Sequence, residues 1–481
     1  MKKNLLHTLL ITLCGIQALA QAPTLSWQKN IGGSADDFDL ISTQNFQGDI
    51  FISGSTFSHI SGDIPANKGL SDIYVAKLTS DGSTINWSHT FGGTGNDIPA
   101  DIATTTDGGL IILCYVDSTS GDFNQTGVWL LKLNNNGSTA FKTHFGGNPS
   151  FKGKVKQTSD GGYIFHSTKN VVTNGLDFWV VKTDALGNQV WSKTFGGVED
   201  EFAADIIELN SEYYVLGDSY SHTINSQSHT SLGLDMVFFK INASGTEQWT
   251  KFYANTGDDF AERVILNENN EFLILGSSSN APGNAGGLDF WVKNVDIGGS
   301  NITSFSVGGV ENDFASDMYF NQSTFQPIVV GETFSDWLVG PEPDTSNVLV
   351  SEIIPFGGTQ WINILGGSGY ESPTSITGTV DGGLLISGHS YSSDGDLNNN
   401  KGGADFWLVK LAYPCPDELN INAASFSQSI SRTAESSINT NSEFTGSLSK
   451  VKLKSSYIQM NPGFKIEPGT VFETEIGGCP D

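Results

Sequence analysis

Positive charge is what this chain has least of. Its 481 residues carry 24 Lys and Arg against 52 Asp and Glu, a net charge of −28. Only two of the cations, Arg263 and Arg432, are arginines. A surface of this sign repels nucleic-acid phosphates and anionic lipid. Two arginines are also too few for the cluster that grips a substrate carboxylate in sialidase-type hydrolysis. Long apolar runs are missing too. After residue 20 no segment approaches 18 uninterrupted apolar residues, so the mature chain is expected not to be membrane-spanning. Helix signals are nearly absent. So are the usual catalytic signatures: there is no G-x-S-x-G, H-E-x-x-H, phosphate-binding loop, or G-x-G-x-x-G between a strand and a helix.

Cysteine is scarce. Of the four, Cys14 falls in an N-terminal leader and Cys114 in the apolar run Leu110 to Val116, where it reads as buried. Cys415 and Cys479 each open a Cys-Pro-Asp and bracket the last 65 residues. In an oxidising compartment they are expected to form a disulfide, and closing a loop of that length stabilises by about 4 kcal/mol in the chain-entropy picture. The leader itself has Lys2-Lys3, an apolar run from Leu5 to Ile16, and Ala18-Leu19-Ala20. That is the layout of a cleaved secretory signal over residues 1–20, and it predicts a secreted or outer-cell-surface protein.

What the chain has in abundance is repetition. An aromatic residue stands five positions before a Gly-Gly at Trp27, Trp87, Phe141, Trp191 and Trp361, with degraded copies around Trp249 and Gly308-Gly309. A second marker also recurs seven times: Asp72-Ile-Tyr, Gly127-Val-Trp, Asp177-Phe-Trp, Asp235-Met-Val, Asp289-Phe-Trp, Asn347-Val-Leu and Asp405-Phe-Trp. Each unit holds four strand-like runs separated by Gly, Asp and Asn clusters. Seven four-stranded units predict an all-β fold, a seven-bladed β-propeller over residues 21–413. The segment Trp27 to Gly33 is a fourth strand without a preceding three, and the last unit has three without a fourth. The N-terminal strand should therefore complete the seventh blade and remove an open edge.

Beyond Tyr413 the pattern stops. Residues 414–481 are expected to form a small β-solenoid-like module, because from Val451 short apolar pairs recur about every six residues with Pro-Gly turns between them.

The motifs T-x-D-G-G-Y-I, D-F-W-V-V-K and W-x-x-x-F-G-G, over about residues 25–411, resemble the tandem propeller repeats of exported Bacteroidetes-type proteins. The tail Met460-Asn-Pro-Gly-Phe-Lys-Ile-Glu-Pro-Gly-Thr-Val-Phe is similar to the C-terminal coathanger-stack segments of such proteins. The resemblance implies architecture and export, and no catalytic residue.

Three sets of residues are candidates for function. Nine of the ten tryptophans fall at two repeat positions and read as core; Trp337, in a loop of the sixth unit, is the exception and a candidate for ligand stacking. Past the Gly-Gly position in five of the seven units comes an acidic pair whose second members are Asp37, Asp97, Glu201, Asp259 and Asp313, with Glu371 alone in the last unit. Carboxylates at such turns cap backbone N–H groups, but hard oxygen ligands also suit Ca²⁺, so these five are candidate metal ligands. The histidines sit at differing repeat offsets and form no ligand-like cluster. If the chain runs from the inner to the outer strand of each blade, the short turns share one face and the Gly-Gly segments and long acidic loops share the other. Together these readings predict a monomeric, non-catalytic binding or scaffold protein offering that loop face to an extracellular protein or glycan. The alternative is a glycan-active hydrolase or lectin working at the mouth of the same face.

Overall fold

The computed structural model describes residues 21–147, 152–172, 174–231, 233–335, 345–354, 358–397 and 399–414, and in the tail the strands between Glu418 and Ile476. Seven antiparallel four-stranded sheets follow one another along the chain and form a seven-bladed β-propeller. The first blade comprises Asp37–Gln44, Ile50–Thr56, Asp72–Leu78 and Ile85–Phe91, in order from the channel outwards. The innermost strands of the next six are Asp97–Thr104, Lys154–Gln157, Glu201–Leu209, Asp259–Leu266, Asp313–Asn321 and Glu371–Gly378. Neighbouring inner strands touch around a complete circle, the last against the first. Among the described residues no helix is long and apolar enough to cross a membrane.

The ring closes as the unpaired sequence ends require. Strand Thr24–Ile31 lies antiparallel to Asp405–Ala412 as the outer strand of the seventh blade, with Gln28 opposite Val409 and Asn30 opposite Trp407. Trp407 Nε1 donates to Gln28 Oε1 at 3.1 Å.

The two middle strands of each blade are largely apolar and mostly buried because both of their faces are covered by neighbouring blades; Leu110–Val116 and Gly127–Leu133 are buried at every position. The third-strand tryptophans Trp129, Trp179, Trp291 and Trp407 sit in these interfaces. The tryptophans before the Gly-Gly do something different. Trp27, Trp87, Trp191 and Trp249 are only partly buried on outer strands, and each lies under a turn glycine of the following blade. A Cβ on Gly82 would come within 2.5 Å of Trp27, and one on Gly137 within 2.9 Å of Trp87. Both glycines have positive φ, so the turn needs the missing side chain twice over.

The short-turn face takes up many of the chain's few cations. The Lys that ends D-F-W-V-V-K reaches the Asp of the Asp-Gly-Gly turn: Lys132 lies 2.9 Å from Asp107, Lys182 2.9 Å from Asp160 and Lys410 2.5 Å from Asp381. These lysines are nearly buried, and each also locks the first hairpin of its blade to the third strand.

The tail is a parallel three-sided stack. Glu418–Ile421, Ser437–Thr440 and Tyr457–Met460 form one side, Ser425–Phe426, Glu443–Phe444 and Lys465–Ile466 the second, and Ile430–Thr433, Lys450–Ser455 and Val471–Ile476 the third. Each coil has three short sides, so the hop of about six residues is the step from one side to the next. The stack begins at Glu418, well before the first apolar pair that the sequence made visible. Ile438 and Leu453 are buried inside it.

Candidate functional site on the loop face

The end of each inner strand that faces the long loops is built on the acidic pairs. Asp37, Asp97, Glu201, Asp259 and Asp313 are each the first residue of an inner strand and each at most 1 % exposed. Each accepts the backbone N–H four residues back: Gly33 to Asp37 at 2.9 Å, Gly93 to Asp97 at 2.7 Å, Gly197 to Glu201 at 3.0 Å, Asn255 to Asp259 at 2.6 Å and Gly309 to Asp313 at 2.6 Å. Hydroxyls from the end of the second strand add to this, as Ser118 does for Asp97 at 2.6 Å and Ser219 for Glu201 at 2.8 Å. The first member of the pair reaches back to the preceding blade. Asp36 accepts from Ala404 N, Asp200 from Leu176 N and Asp258 from Leu234 N, all at 2.8 to 2.9 Å.

Opposite these caps stands a second set of carboxyls that sequence reasoning marked as repeat signposts without giving them a role. Asp72, Asp235, Asp289 and Asp405 open third strands, Asp177 is the third residue of Gly175–Thr183, and all five are buried. At Gly32, Gly92, Gly196 and Gly308 the first glycine of the Gly-Gly is wedged between the two carboxyls. A Cβ on Gly92 would lie 2.2 Å from Asp72 Oδ1 and 2.9 Å from Asp97 Oδ2, and one on Gly32 would lie 2.1 Å from Asp405 Oδ1 and 2.9 Å from Asp37 Oδ2. This close approach is why the motif demands glycine. The Oδ1 atoms of Asp72, Asp177, Asp289 and Asp405 are buried without a hydrogen-bond partner. Where Ala254 replaces the glycine, Asp235 Oδ2 instead stands 3.1 Å from His229 Nδ1.

Burial pushes these acids up. Asp37, Asp72, Asp235 and Asp289 rise to about 6 and Glu201 to about 7, with the hydrogen bonds pulling the other way. The five candidate metal ligands stand one to a blade junction. Among the described residues no three His, Cys, Asp or Glu side chains converge where they could hold a metal ion. Trp337 and the two cysteines Cys415 and Cys479 lie outside the described residues.

The channel itself carries a charged layer that the repeat pattern hid. Asp101, Asp205 and Asp317 come from the second, fourth and sixth blades, Lys154 and Arg263 from the third and fifth. Arg263 lies 3.4 Å from Asp205 and 3.0 Å from Asp317, and Lys154 lies 3.5 Å from Asp101. The aspartates also accept N–H bonds from the next blade, Asp101 from Val155 at 2.9 Å, Asp205 from Val264 at 3.1 Å and Asp317 from Ile376 at 2.9 Å. Burial opposes the charge on Asp205, but Arg263 and the nearby lysines outweigh it and hold the carboxyl below its usual range. A cavity of about 450 Å³ on the short-turn side includes Lys156 and Phe46 in its wall, and one of about 380 Å³ towards the loop face includes Asp39, Lys152 and Glu262.

Around the loop-face mouth the sixth, seventh and first blades carry a continuous arc of rings. It runs Phe314, Phe334, Tyr370, His389 and Tyr391, Phe38, Phe57, with neighbouring centroids 5.1 to 6.5 Å apart. Phe314, Phe57 and Tyr391 are 36, 38 and 45 % exposed. Burial holds the His389 imidazole below its usual range against the pull of Asp39 and Asp36.

The fold does not require these rings. Phe57, Phe334 and Tyr391 occupy one repeat position, just after the second strand, where the blade uses only the backbone: Phe57 N donates to Asp36 O at 3.0 Å and Tyr391 N to Tyr370 O at 3.0 Å. In the second blade Asp117 makes the same bond to Asn96 O at 3.0 Å. A sequence signal existed in these aromatics after the acidic pair and after the second strand, but it shows only once repeat positions are compared.

No protein family matches the chain, and no curated protein is similar to it. Solved structures are alike only in outline. A protein of unknown function from Dyadobacter fermentans is 10 % identical, with a TM-score of 0.45 over 81 % of this chain and 99 % of that one. A putative 6-phosphogluconolactonase from Bacteroides fragilis is 10 % identical, with a TM-score of 0.44 over 76 % of this chain and 98 % of that one. A europium-containing methanol dehydrogenase is 10 % identical, with a TM-score of 0.42 over 81 % and 93 %.

Proposed function

We propose that this is a non-catalytic binding or scaffold propeller of the cell exterior, which offers its loop face to an extracellular partner. The observation that carries the reading is the arc of half-exposed rings beside the channel mouth, at positions where the blade needs only backbone. Side chains that the scaffold does not need, gathered on the face with the long loops, are what a recognition surface consists of. The acidic pairs support the same reading from the other side, since their oxygens are engaged in holding glycine turns. The leader over residues 1–20 supports export, and the small parallel stack suits a spacer or anchoring element.

The mature protein, screened against extracellular polysaccharides and secreted proteins alongside a reducing-sugar assay, is expected to retain a partner without consuming it. Turnover of any polysaccharide that disappears on substitution of a single carboxylate would sink this reading and favour a hydrolase at the mouth.

A further inference from the structure

The arc over the sixth, seventh and first blades has chemistry specific enough to name its ligand class. We propose that it is the docking strip for a neutral glycan chain, whose sugar faces rest on Phe57, Phe38 and Tyr391 while their hydroxyls donate to the flanking carboxylates. This rests on the binding reading above and adds what is bound.

Three features decide among partners. The first is the rings' exposure. Phe314, Phe57 and Tyr391 show between a third and a half of their surface, so each offers a face or an edge without standing clear of its neighbours. The axial C–H bonds of a pyranose carry partial positive charge and fit the negative face of an aromatic ring. The second is the acceptors between the rings. Asp39 has a side chain 67 % exposed and sits beside His389, and its φ of 58° holds the chain in the left-handed region at the edge of the strip. Asp36 lies close enough to influence both His389 and Tyr391. A dry protein interface over these carboxylates would strand them without water or partner, at a cost of several kcal/mol. Sugar hydroxyls are donors and satisfy them.

The third feature is the sign of the charge. The loop-face lysines Lys68 and Lys401 are tied to Asp122 and Asp63. Lys152, on the channel wall, is paired with Glu262 at 2.9 Å. A uronic or sulfated glycan would therefore meet carboxylates beside the rings and paired lysines around them, whereas a neutral one meets only acceptors.

The test uses the full mature chain and defined probes: cellohexaose, xylohexaose and chitohexaose as neutral chains, oligogalacturonate and hyaluronate as acidic ones. Binding of at least one neutral probe is expected, with no measurable binding of either acidic probe. Tyr391→Ala and Phe57→Ala are expected to weaken that binding by about tenfold each, as truncation of an aromatic anchor does. Phe202→Ala, which removes a ring packed against Tyr220 in the fourth blade, is expected to leave it unchanged. Both arc residues are partly exposed, and unchanged melting temperatures would confirm that the variants fold.

Binding that prefers an acidic probe, or no binding of any probe, overturns the inference. Binding that both arc variants retain also overturns it, while leaving intact the reading of the protein as a binder. Cleavage of a bound probe overturns the non-catalytic reading, and does so whether or not the arc variants weaken binding.

Discussion

Asn347 faces Glu371 across the junction of the sixth and seventh blades in the way that Asp72 faces Asp97 across the first and second. About Gly366 the two oxygens lie 2.0 and 2.7 Å from an added Cβ, and about Gly92 they lie 2.2 and 2.9 Å from it. One junction thus holds a neutral amide where others hold a second carboxyl, so a single negative charge is enough for the geometry.

The buried carboxyls on both sides of these junctions should accordingly favour protonation in the folded state. A carboxyl raised by folding contributes stability that is whole below its unfolded pKa of about 4 and is lost as pH rises through its folded value. For Asp37, Asp72, Asp235 and Asp289 that value is about 6, and for Glu201 about 7. In EDTA, the melting temperature is expected to fall by several degrees from pH 5 to pH 7.5. The double variant Asp72→Asn, Asp289→Asn should flatten that slope. An unchanged slope would show that the pairs do not titrate as folding demands. Calcium is the other neutraliser such pairs could take, and at pH 7.5 millimolar calcium is expected to raise the melting temperature above that in EDTA.

Ring closure gives a second prediction. Removing the strand Thr24–Ile31 leaves Asp405–Ala412 as an open outer edge of the seventh blade. The truncated chain should melt at least about 10 °C lower, with lost cooperativity or aggregation, as unpaired edges promote. Calorimetry of both forms decides it; coincident melting curves would mean that the first strand is dispensable to the ring.

The thiols give a third. Cys114 is free and wholly buried, and burial pushes its thiol up. If Cys415 and Cys479 form the expected bridge, the mature protein denatured without reductant and alkylated gains one label, on Cys114. Three labels would disprove the bridge.

Arg263 gives a fourth. It is the cation between Asp205 and Asp317, so Arg263→Met leaves two carboxylates facing each other in the channel. A loss of about 3 kcal/mol is expected at pH 7 by denaturant unfolding. The Asp205 carboxyl is held low in the folded protein, and the stability this gives exists above its unfolded pKa and goes as pH falls. The difference between wild type and variant should therefore shrink towards pH 4. A difference independent of pH would place the arginine's role in packing alone.

The architecture was legible because it is written seven times. Trp407 and Asp405 announce a third strand, Asp381-Gly382-Gly383 a turn, and the lone fourth strand around Trp27 announces its missing blade. The functional face was harder to read for the same reason. Repetition reports what every blade needs, and so it drew attention to Asp37, Asp97 and their equivalents, which prove to be caps under glycine turns. The rings of Phe57, Phe334 and Tyr391 stand where the repeat tolerates Asp117, so their recurrence shows only when that position is compared from blade to blade. The channel layer was hidden because Asp101, Lys154, Asp205, Arg263 and Asp317 alternate in charge at one position, which reads as variation until the inner strands are set side by side.

The bond between Trp407 and Gln28 joins residues 379 apart in sequence, and that distance sets a timetable. A chain emerging from its N-terminus offers Thr24–Ile31 first, yet that strand has no sheet to join until Asp405–Ala412 has followed. Until then Thr24–Ile31 has no partner and the ring cannot close. Such long-range pairing is slow, because its entropy must be lost before the contacts return anything. The blades can form in order as they appear, but the cylinder latches only once, at the end, when the oldest strand meets the youngest blade.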